Sequence, residues 1–289
     1  MRLAIMDDAR GCGRAVAGAA VRRGHVIDNA SPDAGYVRTH TYEPWRRRGL
    51  EMIERLSRLH VPSIPSYRDS LLYDDKRLQA KVLAPWMPKT HVITDEAFRP
   101  DMAYPFVSKS ARGSASKNVR LVATPAQAEF ERAAAFGSSG LRAVNEVQHG
   151  YLIWQEFIPG NDHDVRVCVC GDNLFGLIRG NRDEVPFASG SGRLTVIQGM
   201  RDPSVRAAFL CAIGIASKIG TRWACFDFVF RDGIPYVLEI SFSWTEAAYN
   251  LCPCFGLDFQ PNGRTAAEWP EFAVTELERL TGWSESTHG

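Results

Sequence analysis

Seven cysteines are scattered through the 289 residues without a Cys-x-x-Cys pair, and the seven histidines include no His-Glu-x-x-His. Zinc-ribbon and zinc-hydrolase chemistry are therefore without support, and an odd cysteine count fits reduced thiols better than a disulfide framework. Cys168 and Cys170 alternate with valines, and Cys252-Pro253-Cys254 is poorly spaced for one metal, so these thiols are expected to serve packing. No apolar run is long enough to span a bilayer, and Asp7 and Asp8 interrupt the first apolar run too early for a signal peptide. A cytoplasmic protein is expected. The formal charge of +1 gives no global field to attract nucleic acid or membrane, and the run Arg46, Arg47 and Arg48 reads as a solvated helix face. Glycine-rich phosphate signatures are missing too: the loop Gly11-Cys12-Gly13 continues to Val16 where a dinucleotide fingerprint needs its third glycine, and no P-loop spacing occurs. What remains is an ordinary chain, 45% hydrophobic and 23% charged, long enough for two or three subdomains.

No Gly/Ser-rich linker or internal repeat divides it. Residues 1–68 read as a small α/β unit: strands at Leu3 to Met6, Val26 to Asp28 and Tyr36 to Arg38, a helix from Arg14 to Arg23, a long amphipathic helix after Pro44, and a last short strand in 61–66. From about 69 onward hairpins mix with helices, which implies α+β for 69–289, with subdomains of about 69–155 and 156–289. Asp74 is placed as the cap of a helix running to Leu83, Thr124 opens a helix closed by Gly137, Asp202-Pro203 opens one ending near Gly220, and a last helix spans Pro270 to Leu280. Strands are expected at Tyr104 to Ser110, Val119 to Val122, Leu152 to Phe157, Val165 to Cys170 and Leu174 to Arg179.

The segment 223–245 carries the strongest chemical signal. With Asp232-Gly233-Ile234 as the turn of a hairpin, Asp227 faces Glu239, Phe228 faces Leu238 and Phe226 faces Ile240. Phe226, Phe228, Phe230, Tyr236, Leu238 and Ile240 then share a core face, and Asp227, Val229, Val237, Glu239 and Ser241 the other. Opposed carboxylates about 5 Å apart at Cβ repel, so the pair calls for a cation or a raised pKa. Oxygen ligands of this kind suit Mg²⁺, which keeps waters and is completed by phosphates. A solvated edge hairpin with two unremarkable acids is the plain alternative.

Two further segments fit a nucleotide. In 104–122, Lys109 ends a strand and is followed by a loop of small residues, the build of a phosphate clamp. In 152–170, Gln155-Glu156-Phe157-Ile158 could read an adenine edge by its backbone. Beyond it, Asp164, Arg166, Cys168 and Cys170 share one strand face, with Arg166 suited to phosphate.

The ordered set Lys76 after Asp75, Tyr104-Pro105-Phe106-Val107-Ser108-Lys109, Gln155-Glu156-Phe157-Ile158-Pro159-Gly160, Asp164-Val165-Arg166, Asp227 and Val237-Leu238-Glu239-Ile240-Ser241 resembles ATP-grasp enzymes, nearest to the glutathione synthetase and ribosomal-protein-modifying glutamate ligase branch. The likeness spans roughly residues 70 to 250, and residues 1–68 resemble the small domain preceding the grasp. It implies that Lys76 and Lys109 contact ATP phosphates, that Gln155, Glu156, Phe157 and Ile158 hold adenine, that Asp164 lies on the ribose side and Arg166 near the phosphates. Asp227, Glu239 and Ser241 would be the metal set. Arg179, Arg182 and Arg193, around 180–196, are candidates for an acyl phosphate. Ser241 stands where the family usually has Asn, and Ser114, Ala115, Ser116 and Lys117 stand where glycines are common. The resemblance implies an ATP- and Mg²⁺-dependent carboxylate–amine ligase (Mn²⁺ as a substitute metal) acting on small-molecule or peptide substrates, with self-association left open. An ATP-grasp kinase and a non-catalytic nucleotide-binding module are the alternatives.

Overall fold

A computed structural model describes the whole chain except residues 9, 41, 114–117, 144–146, 183–191, 245 and 285–289. Three main sheets organise it. Arg2–Met6, Val26–Ile27, Ala34–Val37 and Ser63–Ile64 form a parallel sheet in which Arg2–Met6 lies between Val26–Ile27 and Ala34–Val37. Its first crossover is the helix Cys12–Arg22, entered through Gly11 at φ 76. A Cβ at Gly13 would lie 2.5 Å from Met6 O and Asp7 Cα, so the glycine serves close strand–helix packing. Trp45–Arg58 is the second long helix of this unit, and its Arg46 is bound to Asp74 and Glu43 rather than solvated.

An antiparallel sheet follows, ordered Thr90–Ile93, Leu152–Glu156, Phe106–Lys109, Val119–Val122. The largest sheet has seven strands, running from the edge strand Ile234–Ser241 through Trp223–Arg231, His163–Cys170 and Asn173–Gly180 to Pro253–Phe255 and Pro261–Thr265, with Leu194–Val196 also on Asn173–Gly180. Strand alternation divides its central residues cleanly. Val165, Val167, Val169, Phe226 and Phe228 pack against the helix Pro203–Ile219, which Asp202 caps and Gly220 ends in the left-handed region. Cys168, Cys170, Phe175 and Cys225 on the opposite face pack against Leu3, Ile5 and Val16 of the parallel sheet unit and the C-terminal helix Trp269–Thr281. Further along that second face lie Asp164, Arg166, Asp227 and Glu239.

Three expectations are corrected here. The turn of the 223–241 hairpin is two residues, Asp232 and Gly233, both at positive φ, so facing residues near it are Arg231 with Ile234 and Phe228 with Val237. A bulge beyond Phe228 takes up one extra residue and restores Asp227 opposite Glu239 and Phe226 opposite Ile240. Val237, not Leu238, therefore joins the core with Phe226 and Phe228. Second, Cys168 faces Cys225 across neighbouring strands and the two are joined as a disulfide, so the thiols are not all reduced. The pairing joins strands far apart in sequence, which a local reading does not reach. Third, Asp74 ends a helix, Tyr67–Asp74, opened by a Ser66–Asp69 capping box, and Asp75 caps the next one, Lys76–Val82. No helix among the described residues is long and apolar enough to cross a membrane.

Candidate active site

The small antiparallel sheet and the edge of the large one meet at Lys109. This lysine ends its strand buried, and its Nζ donates to Gln155 Oε1 at 2.6 Å within its own sheet and to Leu238 O at 3.2 Å across the cleft. Burial pulls its ammonium down to about 8, Glu239 opposes that, and Lys76 adds to it. Gln155 is held in turn by Thr90, to whose hydroxyl its Nε2 donates at 2.9 Å.

Lys76 opens its helix beside the same cleft. Its Nζ lies 3.1 Å from Glu239 Oε1 and donates to Gly113 O at 2.9 Å, in the loop that follows Lys109. Two cations and one carboxylate thus converge from three separate segments. The rest of that loop, Ser114 to Lys117, lies outside the described residues.

Asp227 is more deeply committed. Its Oδ1 lies 2.8 Å from Arg166 Nε and its Oδ2 2.7 Å from Arg179 Nη2. Burial pushes its carboxyl up, but the two guanidinium groups pull harder and hold it below the ordinary carboxylate value. Arg179 also grips Asp164 with two bonds, Nε to Oδ1 at 2.7 Å and Nη2 to Oδ2 at 2.9 Å. The register accounts for this: Arg166 sits directly opposite Asp227, and Asp164 opposite Arg179, on adjacent strands. Arg166 Nη2 donates to Ser241 Oγ at 2.5 Å, and the row lies close to the buried phenol of Tyr249, which burial raises above its ordinary value. The result is a buried row of alternating charge, two aspartates and two arginines, bordered by Ser241 and Tyr249.

Among the described residues no group of three His, Cys, Asp or Glu side chains could hold a metal. The two carboxylates Asp227 and Glu239 do suit a cation that takes most of its remaining oxygens from phosphate and water, which is how Mg²⁺ is commonly held. A permanently caged ion does not fit.

The remaining candidates fall at the margins. Glu156 Oε1 accepts from Arg231 Nη2 at 2.6 Å, and its backbone N–H already donates to Lys89 O at 2.8 Å. Phe157 is half-buried and Ile158 buried. Arg193 is exposed beside the strand, apart from the buried row, and Arg182 is half-buried, while most of the intervening segment lies outside the described residues. Three groups carried no sequence motif and emerge only in space: Tyr249 near Arg166, Asn161 pairing with the backbone N–H and O of Phe230 at 2.8 and 3.0 Å, and Gln79 on the edge strand.

No protein-family model matches the chain, and no curated relative is found. Solved structures do match. A RimK-domain ATP-grasp protein from Sphaerobacter thermophilus is 19% identical, with 96% of this chain and 99% of that one covered and a TM-score of 0.61. The D-alanine–D-alanine ligase of Bacillus anthracis is 14% identical over 98% and 99%, with a TM-score of 0.67. The ATP-grasp ligase PsnB, solved with a minimal precursor, Mg and ADP, is 16% identical over 96% of each chain, with a TM-score of 0.55. These likenesses extend over nearly the whole length, including the parallel sheet that precedes the cleft, and the chain has the ATP-grasp fold.

Proposed function

We propose that this protein is an ATP- and Mg²⁺-dependent carboxylate–amine ligase. The observation that carries the reading is the convergence of Lys76 and Lys109 with Glu239 and Asp227 at the meeting of two sheets, cations for phosphate beside hard anions for a divalent metal. Structural neighbours that are themselves ligases, one of them seen with Mg and ADP, support it. Lys76 and Lys109 would hold the phosphates, Gln155 to Ile158 would line the adenine end, and Asp227 and Glu239 would share the cation, with the chain dividing near residue 68 into a leading α/β domain and the grasp. When bound, Mg²⁺ supplies charge neutralisation between the phosphate groups.

The chemistry asks mainly for positioning. A substrate carboxylate oxygen takes the terminal phosphoryl group and ADP leaves; an amine then attacks the acyl carbon, inorganic phosphate departs, and the amine loses a proton as the amide forms. Arg166 is the cation best placed to meet the developing charge, because Asp227 and Ser241 hold its guanidinium from two sides. Arg179, bonded to both Asp164 and Asp227, would act through them.

The test is ADP release against a panel of carboxylates, amines and amino acids, with mass spectrometry of the products. Release that needs both an acid and an amine, with an amide formed, is the expected result. A phosphorylated product without an amide makes the protein a kinase, and nucleotide binding without turnover makes it a binding module.

Ser241 gives a sharper test of roles. Because its hydroxyl accepts from Arg166, Ser241→Ala is expected to lower kcat about tenfold, the scale of one charge-assisted hydrogen bond, and to leave the Mg²⁺ half-saturation point unchanged. Ser241→Asn is then not expected to lower the Mg²⁺ requirement. A Mg²⁺ titration of both variants at saturating ATP decides it: a shifted half-saturation point with unchanged kcat would return Ser241 to the metal set.

A further inference from the structure

The strand that carries Glu239 and Ser241 is the outer edge of the large sheet, where backbone groups have no neighbouring strand to bond. At Ile240 both backbone groups of this edge are closed by one side chain. Gln79, buried, accepts from Ile240 N–H through Oε1 at 3.1 Å and donates through Nε2 to Ile240 O at 3.1 Å and to Leu72 O at 2.9 Å. The amide thus stands in for a one-residue strand, and only this orientation of its oxygen and nitrogen satisfies all three partners.

Ile240 lies between Glu239 and Ser241, and its own side chain is buried in the core. Holding its N–H and C=O fixes the backbone from which the two neighbours point to the opposite face. Gln79 also stands three residues after Lys76 in the helix Lys76–Val82, so both project from one face. Lys76 reaches Glu239 and the loop carbonyl of Gly113, while its backbone N–H donates to Ala111 O at 3.0 Å. One short helix therefore ties the carboxylate strand to the loop that follows Lys109.

We propose that Gln79 is a positioning residue for the cation site: by gripping Ile240 it sets Glu239 at the distance from Lys76 that lets one helix place both the metal carboxylate and a phosphate lysine. This rests on the reading of Glu239 as a ligand of the ATP-bound cation. It assigns a role to a residue that touches neither nucleotide nor metal.

The experiment uses the full-length protein with Gln79→Met, which keeps length and removes all three bonds, and Gln79→Glu, which keeps the acceptor for Ile240 N–H and sets a carboxylate against two carbonyls. Free Mn²⁺ is followed by electron paramagnetic resonance during titration with a non-hydrolysable ATP analogue, beside ATP-analogue binding without metal and thermal unfolding. Both variants are expected to weaken Mn²⁺ binding about tenfold or more, while metal-free nucleotide binding changes less than about threefold, the scale of a displaced ligand rather than a lost one. Lower thermal stability with unchanged Mn²⁺ affinity would make Gln79 merely structural and overturn the proposal. Glu239→Gln separates the two readings. If it weakens Mn²⁺ binding and both Gln79 variants do not, the positioning role alone fails. If it leaves Mn²⁺ binding intact, the cation site itself is misplaced. Should Gln79→Met not fold, the same outcomes are read from Gln79→Glu.

Discussion

Glu239→Gln is expected to lower turnover roughly 100-fold or more at millimolar Mg²⁺, a loss of about 3 kcal/mol of transition-state stabilisation, with the melting temperature little changed. Asp227→Asn is expected to lose turnover as well and to melt about 10 °C lower. The difference follows from their surroundings. Glu239 is partly exposed and meets one lysine, so its neutral amide leaves Lys76 able to reach water and Gly113 O. Asp227 is buried between Arg166 and Arg179, and its charge balances a row that already includes Asp164. Removing it leaves one uncompensated positive charge inside the protein, a change worth about 3–5 kcal/mol and a melting shift of that size in a chain of this length. Arg166→Met combined with Asp227→Asn removes both members of one pair and is expected to regain much of the stability while turnover stays lost. Calorimetry and ADP release on the three proteins check this together. Equal melting temperatures for Asp227→Asn and Glu239→Gln would mean that the buried row is not the charge-balanced unit described, and near-normal turnover in both would remove the cation site.

The pairing of Asp227 with Glu239 was legible in the sequence, though the structure reaches it by a different route. A three-residue turn gives that facing directly. The chain instead uses Asp232-Gly233, a two-residue turn whose register alone would oppose Asp227 to Leu238, and the bulge shifts it by one. The Asp-Gly pair is itself the signal for the shorter turn, and the burial of Val237 is what reports the bulge. A similar signal existed for the arginines: Gly171-Asp172 as a two-residue turn sets Asp164 opposite Arg179, as observed. The helices with clear caps, such as Pro203–Ile219 behind Asp202, were legible because capping is a local contest of hydrogen bonds. Gln79 and Tyr249 were not, because a glutamine in a helix and a tyrosine near a strand meet their neighbours only when distant segments come together, 161 residues apart for Gln79 and Ile240 and 83 for Arg166 and Tyr249. The Cys168–Cys225 pair was hidden for the same reason.

Lys109 offers the second large effect, with a signature that a structural residue cannot give. Its ammonium is buried and pulled from an ordinary 10.5 down to about 8. Holding the charged form there at neutral pH opposes folding by about 3 kcal/mol. Because the folded value lies below the unfolded one, the unfolded chain binds more protons between them, and this contribution makes the protein more stable as pH rises from about 8 toward 10.5. Lys109→Met removes the buried charge and leaves Gln155 Oε1 and Leu238 O without their donor, a loss of roughly 1–3 kcal/mol each. The two effects nearly cancel, so the melting temperature at pH 7 is expected to move little and its rise above pH 8 to flatten. Turnover and ATP affinity should nonetheless fall by roughly 100-fold, since an unpaired buried cation is worth most when phosphate arrives to meet it. ATP binding at pH 8.5 should also take up a fraction of a proton in the natural protein and none in the variant, because phosphate favours the charged amine; calorimetry in buffers of different ionisation enthalpy measures this. A variant that melts much lower yet binds and turns over ATP normally would make Lys109 a strut between the two sheets, and would place the phosphate clamp elsewhere.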